Sequence, residues 1–171
     1  MGMKSTVSII LAALALLVSG GCGPGSKEIT SLQRKEAASL VSEAQFALQL
    51  KDFARAEGLL AKATALCPDT GKYWVDLGSI RVRLKQKDAA RVAYKSGLLA
   101  YEVAATKDAS DPGAVLQKIY VLSLLGQIDE ARAELMQASK RFPENRAVKS
   151  FSEGKQLDKM LADLRFKEIA L

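Results

Sequence analysis

The sequence predicts an all-α protein made of about three stacked helix pairs closed by a C-terminal capping helix. Three observations point there. Ala and Leu, good helix formers, dominate the apolar residues of a chain that is 49% hydrophobic. Small residues recur at a fixed interval: Ala56 and Ala90, Ala44 and Gly78, and Ala63 and Gly97 are each 34 residues apart, a period that belongs to helix–turn–helix repeats. Long Val/Ile/Thr runs joined by hairpin turn pairs are missing, which argues against a large sheet.

The chain opens with Lys4, an apolar run from Val7 to Val18 interrupted by one Ser, and then Ser19-Gly20-Gly21-Cys22. That order is an export signal, and the run is too short to span a bilayer comfortably. A Cys directly after two small residues resembles the lipobox of bacterial lipoproteins, in which the signal is cut before the Cys and its thiol carries a diacylglycerol. A typical lipobox has Leu three places before the Cys; here Ser19 stands there and Leu17 lies two places early. Ser19-x-Gly21 also fits the small-x-small site of ordinary signal cleavage. Both routes cut before Cys22. One leaves an anchored lipoprotein, the other a soluble exported protein. The expected organisation is a signal peptide over 1–21, a lipidated Cys22 with a flexible tether over 22–30 that includes Gly23-Pro24-Gly25-Ser26, and a helical domain over 31–166.

Cleavage before Cys22 leaves 24 Lys and Arg against 19 Asp and Glu, a net charge of +5. Export makes chromosomal DNA and cytoplasmic RNA unsuitable partners, so the surplus is a solvated surface or faces anionic lipid, acidic wall polymers or an acidic protein. The chain has no His, which excludes His-based triads, imidazole metal sites and imidazole pH sensing. Of the two Cys, Cys67 is a lone thiol if Cys22 is acylated; otherwise a Cys22–Cys67 bridge is conceivable in an oxidising compartment.

Helices are expected over 31–49, 52–66, 72–85, 87–106, 114–125, 128–141 and 145–166. The first repeat holds Leu40, Ala44, Phe53, Ala56, Leu60, Ala63 and Pro68; the second Trp74, Leu77, Gly78, Ala90, Tyr94 and Gly97; the third Leu122, Gly126, Ala131, Leu135, Ala138 and Pro143. Ala44 and Gly78 fall where the first helix of a pair meets the second, and Ala56, Ala90 and Ala131 where the second meets the first. Small side chains there let the axes approach to the near end of the usual 8–10 Å range. Ala63, Gly97 and Ala138 are expected to do the same against the following repeat. Pro68 and Pro143 end the second helices. Ile80-Arg-Val-Arg-Leu-Lys85 alternates like a strand, but its place between Trp74-x2-Leu77-Gly78 and Ala90 makes it helix.

These segments resemble tetratricopeptide repeats (TPRs), whose signature is W-x2-L-G-x2-Y, A-x3-F, A and P. The second repeat carries Trp74-x2-Leu77-Gly78 and Ala90-x3-Tyr94. The resemblance covers about Leu40 to Pro143 and implies a right-handed α-α superhelix, with repeats over about 37–70, 71–106 and 112–145. The chain departs from the pattern at three points. Ala47 and Arg81 stand where the family favours an aromatic. Ile119 replaces a small residue, so the third pair must pack more loosely or be shifted. Ala90 and Ala131 are 41 residues apart, seven more than one period and about two helical turns. An extended fourth helix followed by a short loop closed by Pro112-Gly113 accounts for them; extra loop over 107–113 is the alternative. In the final helix, charged residues surround a stripe of Val148, Phe151, Leu157, Leu161 and Leu164, the pattern of a cap over the open end of a stack. Residues 167–171 are expected to fray.

No residues are spaced for catalysis. Asp129-Glu130 is a helix start favoured by the dipole, Asp108-x2-Asp111 is the only other carboxylate pair of note, and Cys67 is a packed or partly exposed thiol. The expected activity is therefore non-catalytic binding. In TPR arrays the first helix of each pair lines a concave groove. That mapping selects Val41, Gln45, Leu48 and Gln49; then Lys72, Val75, Ser79, Val82 and Arg83; then Leu116, Tyr120, Ser123 and Leu124. The groove is expected to take an extended or helical protein segment with apolar anchors, held by side-chain amides, or to be covered in part by a terminal helix.

The resemblance thus implies a membrane-anchored TPR lipoprotein, a protein–protein interaction scaffold in a bacterial cell-envelope assembly. Lipoproteins of this kind serve outer-membrane protein assembly, pilus secretin assembly and murein-enzyme recruitment. Gly23, not Asp, follows Cys22, so outer-membrane residence facing the periplasm is expected, with no cofactor beyond acyl chains on Cys22, no nucleic acid and no small-molecule substrate. The alternatives are a soluble periplasmic carrier or accessory subunit without an anchor, and a divergent wall-active enzyme.

Overall fold

A computed structural model describes residues 28–153 and 155–171; the expected signal, Cys22 and most of the tether lie outside them. Every regular element described is a helix, and consecutive helices pack on one another. The order is α1 (Ser31–Gln49), α2 (Phe53–Leu66), α3 (Gly71–Arg83), α4 (Lys87–Lys107), α5 (Pro112–Leu124), α6 (Ile128–Arg141), α7 (Arg146–Ser152), α8 (Gln156–Ala162) and α9 (Leu164–Lys167).

Local chemistry sets most of these limits. Thr30 and Gln33 form a capping box at the start of α1, and the Asp52, Asp111 and Asn145 side chains accept backbone N–H groups in the first turns of α2, α5 and α7. Pro112 opens α5, where its missing N–H is no loss. The helices α1, α3 and α5 all stop in the same turn. Lys51, Lys85 and Gly126 adopt left-handed φ values of 60°, 62° and 76°. In each turn that residue's N–H donates to the carbonyl three back, and the next residue's N–H to the carbonyl five back. This is the Schellman arrangement, which satisfies two orphan carbonyls. The three turns are 34 and 41 residues apart, the same intervals that separate Ala56, Ala90 and Ala131. The longer interval is taken up in α4, which runs 21 residues and leaves a four-residue loop before Pro112.

The small residues lie inside. Ala44, Ala56, Ala63, Ala90, Ala131 and Ala138 are buried, as are Gly78 and Gly97. At Gly78 the Tyr94 ring crosses α3 so closely that an added Cβ would lie 2.4 Å from it. Gly97 corrects one expectation: the nearest atoms to a Cβ there would be the Gly71 carbonyl, Trp74 and Val75, all on the helix it pairs with. Arg81, at a position where an aromatic was expected, links repeats instead. Its guanidinium donates to Glu57 on α2 at 2.8 and 2.9 Å and to the Ala89 carbonyl at 3.3 Å. Ile119 is fully buried, and α5 and α6 pack on each other far less extensively than the helices of the first two pairs do, so the third pair is the looser one.

The greatest departure is at the C-terminus. The single helix expected over 145–166 is three short ones, α7, α8 and α9. Lys155, at the entry to α8, has φ 51°, and Asp163 is extended between α8 and α9, its carboxylate accepting the Arg165 N–H. Leu164, assigned to the buried stripe, is 76% exposed. Residues 167–171 do not fray. They return to α3, α4 and α5 and bury Phe166 there.

Candidate functional site

The face shared by α3 and α5 is the best-defined surface of the described chain, and its own C-terminal segment occupies it. Val75 and Val82 of α3 and Tyr120, Val121, Leu124 and Leu125 at the α5 side form one apolar cluster with Phe166, Ile169, Ala170 and Leu171. Helix periodicity places Val75 and Val82 two turns apart on one side of α3, and Tyr120 and Leu124 one turn apart on α5. Phe166 meets the Tyr120 ring edge-on, centroids 5.9 Å apart at 66°, a favourable aromatic geometry.

Two hydrogen bonds read the backbone of the docked segment. The Tyr94 hydroxyl donates to the Ile169 carbonyl at 2.6 Å, and the Leu171 N–H donates to the Leu124 carbonyl at 2.9 Å. Tyr94 belongs to α4, behind α3, and reaches the face only because Gly78 has no side chain. Leu124 lies in the last turn of α5, where carbonyls lack a helical partner. At the edge, the Arg83 guanidinium stands 3.7 Å from Glu168 and 5.9 Å from the Phe53 ring centroid. A cleft of about 340 Å³ opens beside the segment between Tyr120, Gln156, Lys159, Met160, Asp163 and Arg165.

Electrostatics follow the burial. Desolvation pushes the Tyr94 phenol up to about 12, partly offset by its hydrogen bond with Ser79. Burial, then the Asp76 and Tyr120 charges, pushes Tyr101 up to about 12. Tyr120 is raised by burial and then by Asp76. Asp76 in turn holds Lys72 at 2.6 Å. The tyrosines are therefore neutral hydrogen-bonding groups at ordinary pH.

The positions expected to line a groove divide into three sets. Val75, Ser79, Val82, Arg83, Tyr120 and Leu124 surround the docked C-terminal segment or brace Tyr94 against it. Val41 and Leu48 pack into the α1–α2 core, Leu116 packs against the α5–α6 core, and the Ser123 hydroxyl donates to the Ile119 carbonyl at 2.9 Å; Val41 and Ser123 are buried, and Leu48 and Leu116 are half-buried. Gln45, Gln49 and Lys72 are exposed and away from the segment. Tyr94, Val121 and Leu125 complete the site and were not anticipated. The occupant was legible only as an apolar spacing, Phe166-x2-Ile169-x-Leu171.

Cys67 is buried, its thiol facing the Gln33 carbonyl at 3.8 Å, and burial raises its pKa. Among the described residues no three His, Cys, Asp or Glu side chains cluster to hold a metal ion, and no helix is long and apolar enough to cross a membrane. No protein-family model matches the chain, and no curated protein matches it.

Proposed function

We propose that this chain is a TPR-type helical scaffold of the bacterial envelope, held to the outer membrane through acyl chains on Cys22, that binds a segment of another envelope protein without catalysis. The observation that carries this reading is the shared register of three features. Buried small residues, Schellman turns and three-residue connections within each helix pair all repeat at intervals of 34 and 41 residues. A chain whose helices pack on their sequence neighbours builds an extended face from its odd-numbered helices, and such faces suit holding a segment of chain. The α3–α5 face supports this directly, since it holds a segment already, the chain's own.

The anchor rests on Lys4, the apolar run Val7–Val18 and Cys22 after two glycines. Two or more acyl chains, at about 0.8 kcal/mol per buried CH2, hold a protein at a membrane where one would not. Intact-mass measurement of the native protein from solubilised envelopes tests it. A diacylglycerol adduct on Cys22 is the expected result; a bare N-terminal cysteine makes the protein a soluble periplasmic subunit. For the scaffold, a photo-crosslinking residue at Lys72, exposed on α3, should trap a discrete envelope protein in cells. Absence of any adduct at Lys72 and at Gln49 overturns the binding role.

A further inference from the structure

The occupant of the α3–α5 face tells what that face selects. The face offers one donor, the Tyr94 hydroxyl, and one acceptor, the Leu124 carbonyl, and they engage a C=O and an N–H two residues apart on the docked chain. Between and around them lie the side chains of Val75, Val82, Tyr120, Val121 and Leu125. Phe166 fills the centre, Ile169, Ala170 and Leu171 are half-buried, and Glu168, just before them, faces Arg83. The other side chains of the segment, Leu164, Arg165 and Lys167, are exposed.

The segment is held lightly for a core element. Its last regular helix, α9, spans four residues, and α7 to α9 pack far less extensively than the six helices before them. Among the described residues, one backbone–backbone hydrogen bond, from the Leu171 N–H to the Leu124 carbonyl, and one from the Tyr94 hydroxyl to the Ile169 carbonyl tie the backbone of 168–171 to the fold outside its own turn. The approach to it runs through Lys155, a non-glycine residue in the left-handed region. Two buried clusters involve none of residues 163–171: one joins α1, α2, α3 and Ala93 and includes Leu60 and Leu77, and the other joins α5 and α6 to Val148 and Leu157 and includes Ile119. Val75 and Tyr94 of the α3–α4 pair share their cluster with the segment.

Resting on the scaffold reading above, we infer that the α3–α5 face is a receptor for a short partner segment with an aromatic residue, an acidic residue two places on, and aliphatic residues three and five places on, and that residues 164–171 occupy it in cis until such a segment displaces them. A tethered occupant faces its site at an effective concentration of about millimolar, so a free segment must compete with it. The apparent affinity for a partner is correspondingly reduced.

The test uses the full chain and a fluorescein-labelled peptide with the sequence of residues 164–171. The Phe166→Ser/Ile169→Ser variant frees the face, and anisotropy should show it binding the peptide about tenfold or more tightly than the unaltered chain does. A peptide carrying the same two serines should not bind, and adding Val82→Glu to the freed chain should abolish binding. In the unaltered chain, excess peptide should speed hydrogen exchange at the Leu171 amide. Equal affinity for both chains, or no binding to the freed chain, overturns the inference. So does loss of cooperative unfolding in the freed chain, because a displaceable segment cannot be what holds the helices together. The peptide comes from this chain, so its binding is independent of whether an envelope partner is trapped at Lys72 or Gln49, and the two failures are distinct.

Discussion

Replacing Gly78 with Ala tests the helix contact on which the α3–α4 pair depends. The new Cβ would lie 2.4 and 2.5 Å from two carbons of the Tyr94 ring and 3.0 Å from a third. Carbon atoms pack at about 3.5–4.0 Å, so the ring must retreat by about 1 Å. It has nowhere to go: Tyr94 is fully buried and its hydroxyl is held by Ile169. Overpacking of this kind costs about 1–3 kcal/mol, and losing the hydroxyl's bond adds about 1 kcal/mol. Helix propensity returns about 1 kcal/mol, since Ala is the better helix former. The balance is a loss of about 2 kcal/mol, or a Tm lower by about 4–8 °C for a chain of this size. Gly58 supplies the control. It lies in α2 with nothing within 4 Å of an added Cβ, so Gly58→Ala gains the propensity term alone and should raise Tm by about 2–4 °C. Thermal melts followed by far-UV circular dichroism on the two variants decide the matter. A Gly78→Ala protein that melts at or above the unaltered chain would refute the packing described for α3 and α4.

Ala90 has no exposed surface, so Ala90→Leu should destabilise by about 1–3 kcal/mol in urea titration. Lys51→Gly and Lys85→Gly should each stabilise by about 1 kcal/mol, because both lysines hold a left-handed φ, while Gly126→Ala should destabilise by a similar amount; denaturation midpoints of the three variants check the signs. An unfolded tyrosine ionises near pH 10, whereas Tyr94 and Tyr101 are pushed up to about 12 in the fold. Their contribution is complete below pH 10 and is lost as pH rises through 12, so stability should fall across that window by roughly 3 kcal/mol per group. Urea midpoints at pH 9 and pH 11 should show about half of that fall, and Tyr94→Phe should flatten the decline.

The first six helices were readable because their signals are local and repeated. The limits of α1 and α6 coincide with those expected, and those of α2 to α5 shift by one or two residues, the usual uncertainty at caps. The alternating stretch Ile80–Lys85 ran as helix through Arg83, since Leu77, Gly78 and Ile80 all had to face the core. Composition could not reveal what replaces a missing aromatic. At Arg81 the substitute is an ion pair with a half-buried Glu57, which needs a partner 24 residues away. The C-terminal segment after α6 misled for the opposite reason. Val148, Phe151, Leu157, Leu161 and Leu164 fit one amphipathic stripe, but a stripe says nothing of where the chain bends. The bends fall at Lys155, which follows Gly154 in the sequence, and at Asp163, where neither a glycine nor a proline marks the break.

The same local blindness explains the site. A place on the outer side of α1, α3 or α5 marks a groove position, and that rule cannot tell which of them another part of the chain will cover. Tyr94 shows the difficulty most clearly. By sequence it fills the space between two helices, and so it does, yet the void at Gly78 carries its hydroxyl through to the opposite face, 75 residues from the carbonyl it binds. One residue thus serves the α3–α4 contact and the recognition of a backbone at once. The Tyr94 ring is aimed by its close crossing of Gly78 on α3, not by a flexible surface loop, and its hydroxyl also lies within reach of Ser79. A hydrogen-bond donor fixed in advance by the core is what a receptor for a peptide backbone requires, because the bound chain then has only its own ordering to lose. That is why the small residues of α3 bear on both stability and binding, and why Gly78→Ala should weaken capture of the 164–171 peptide by a freed chain as well as lower its melting temperature.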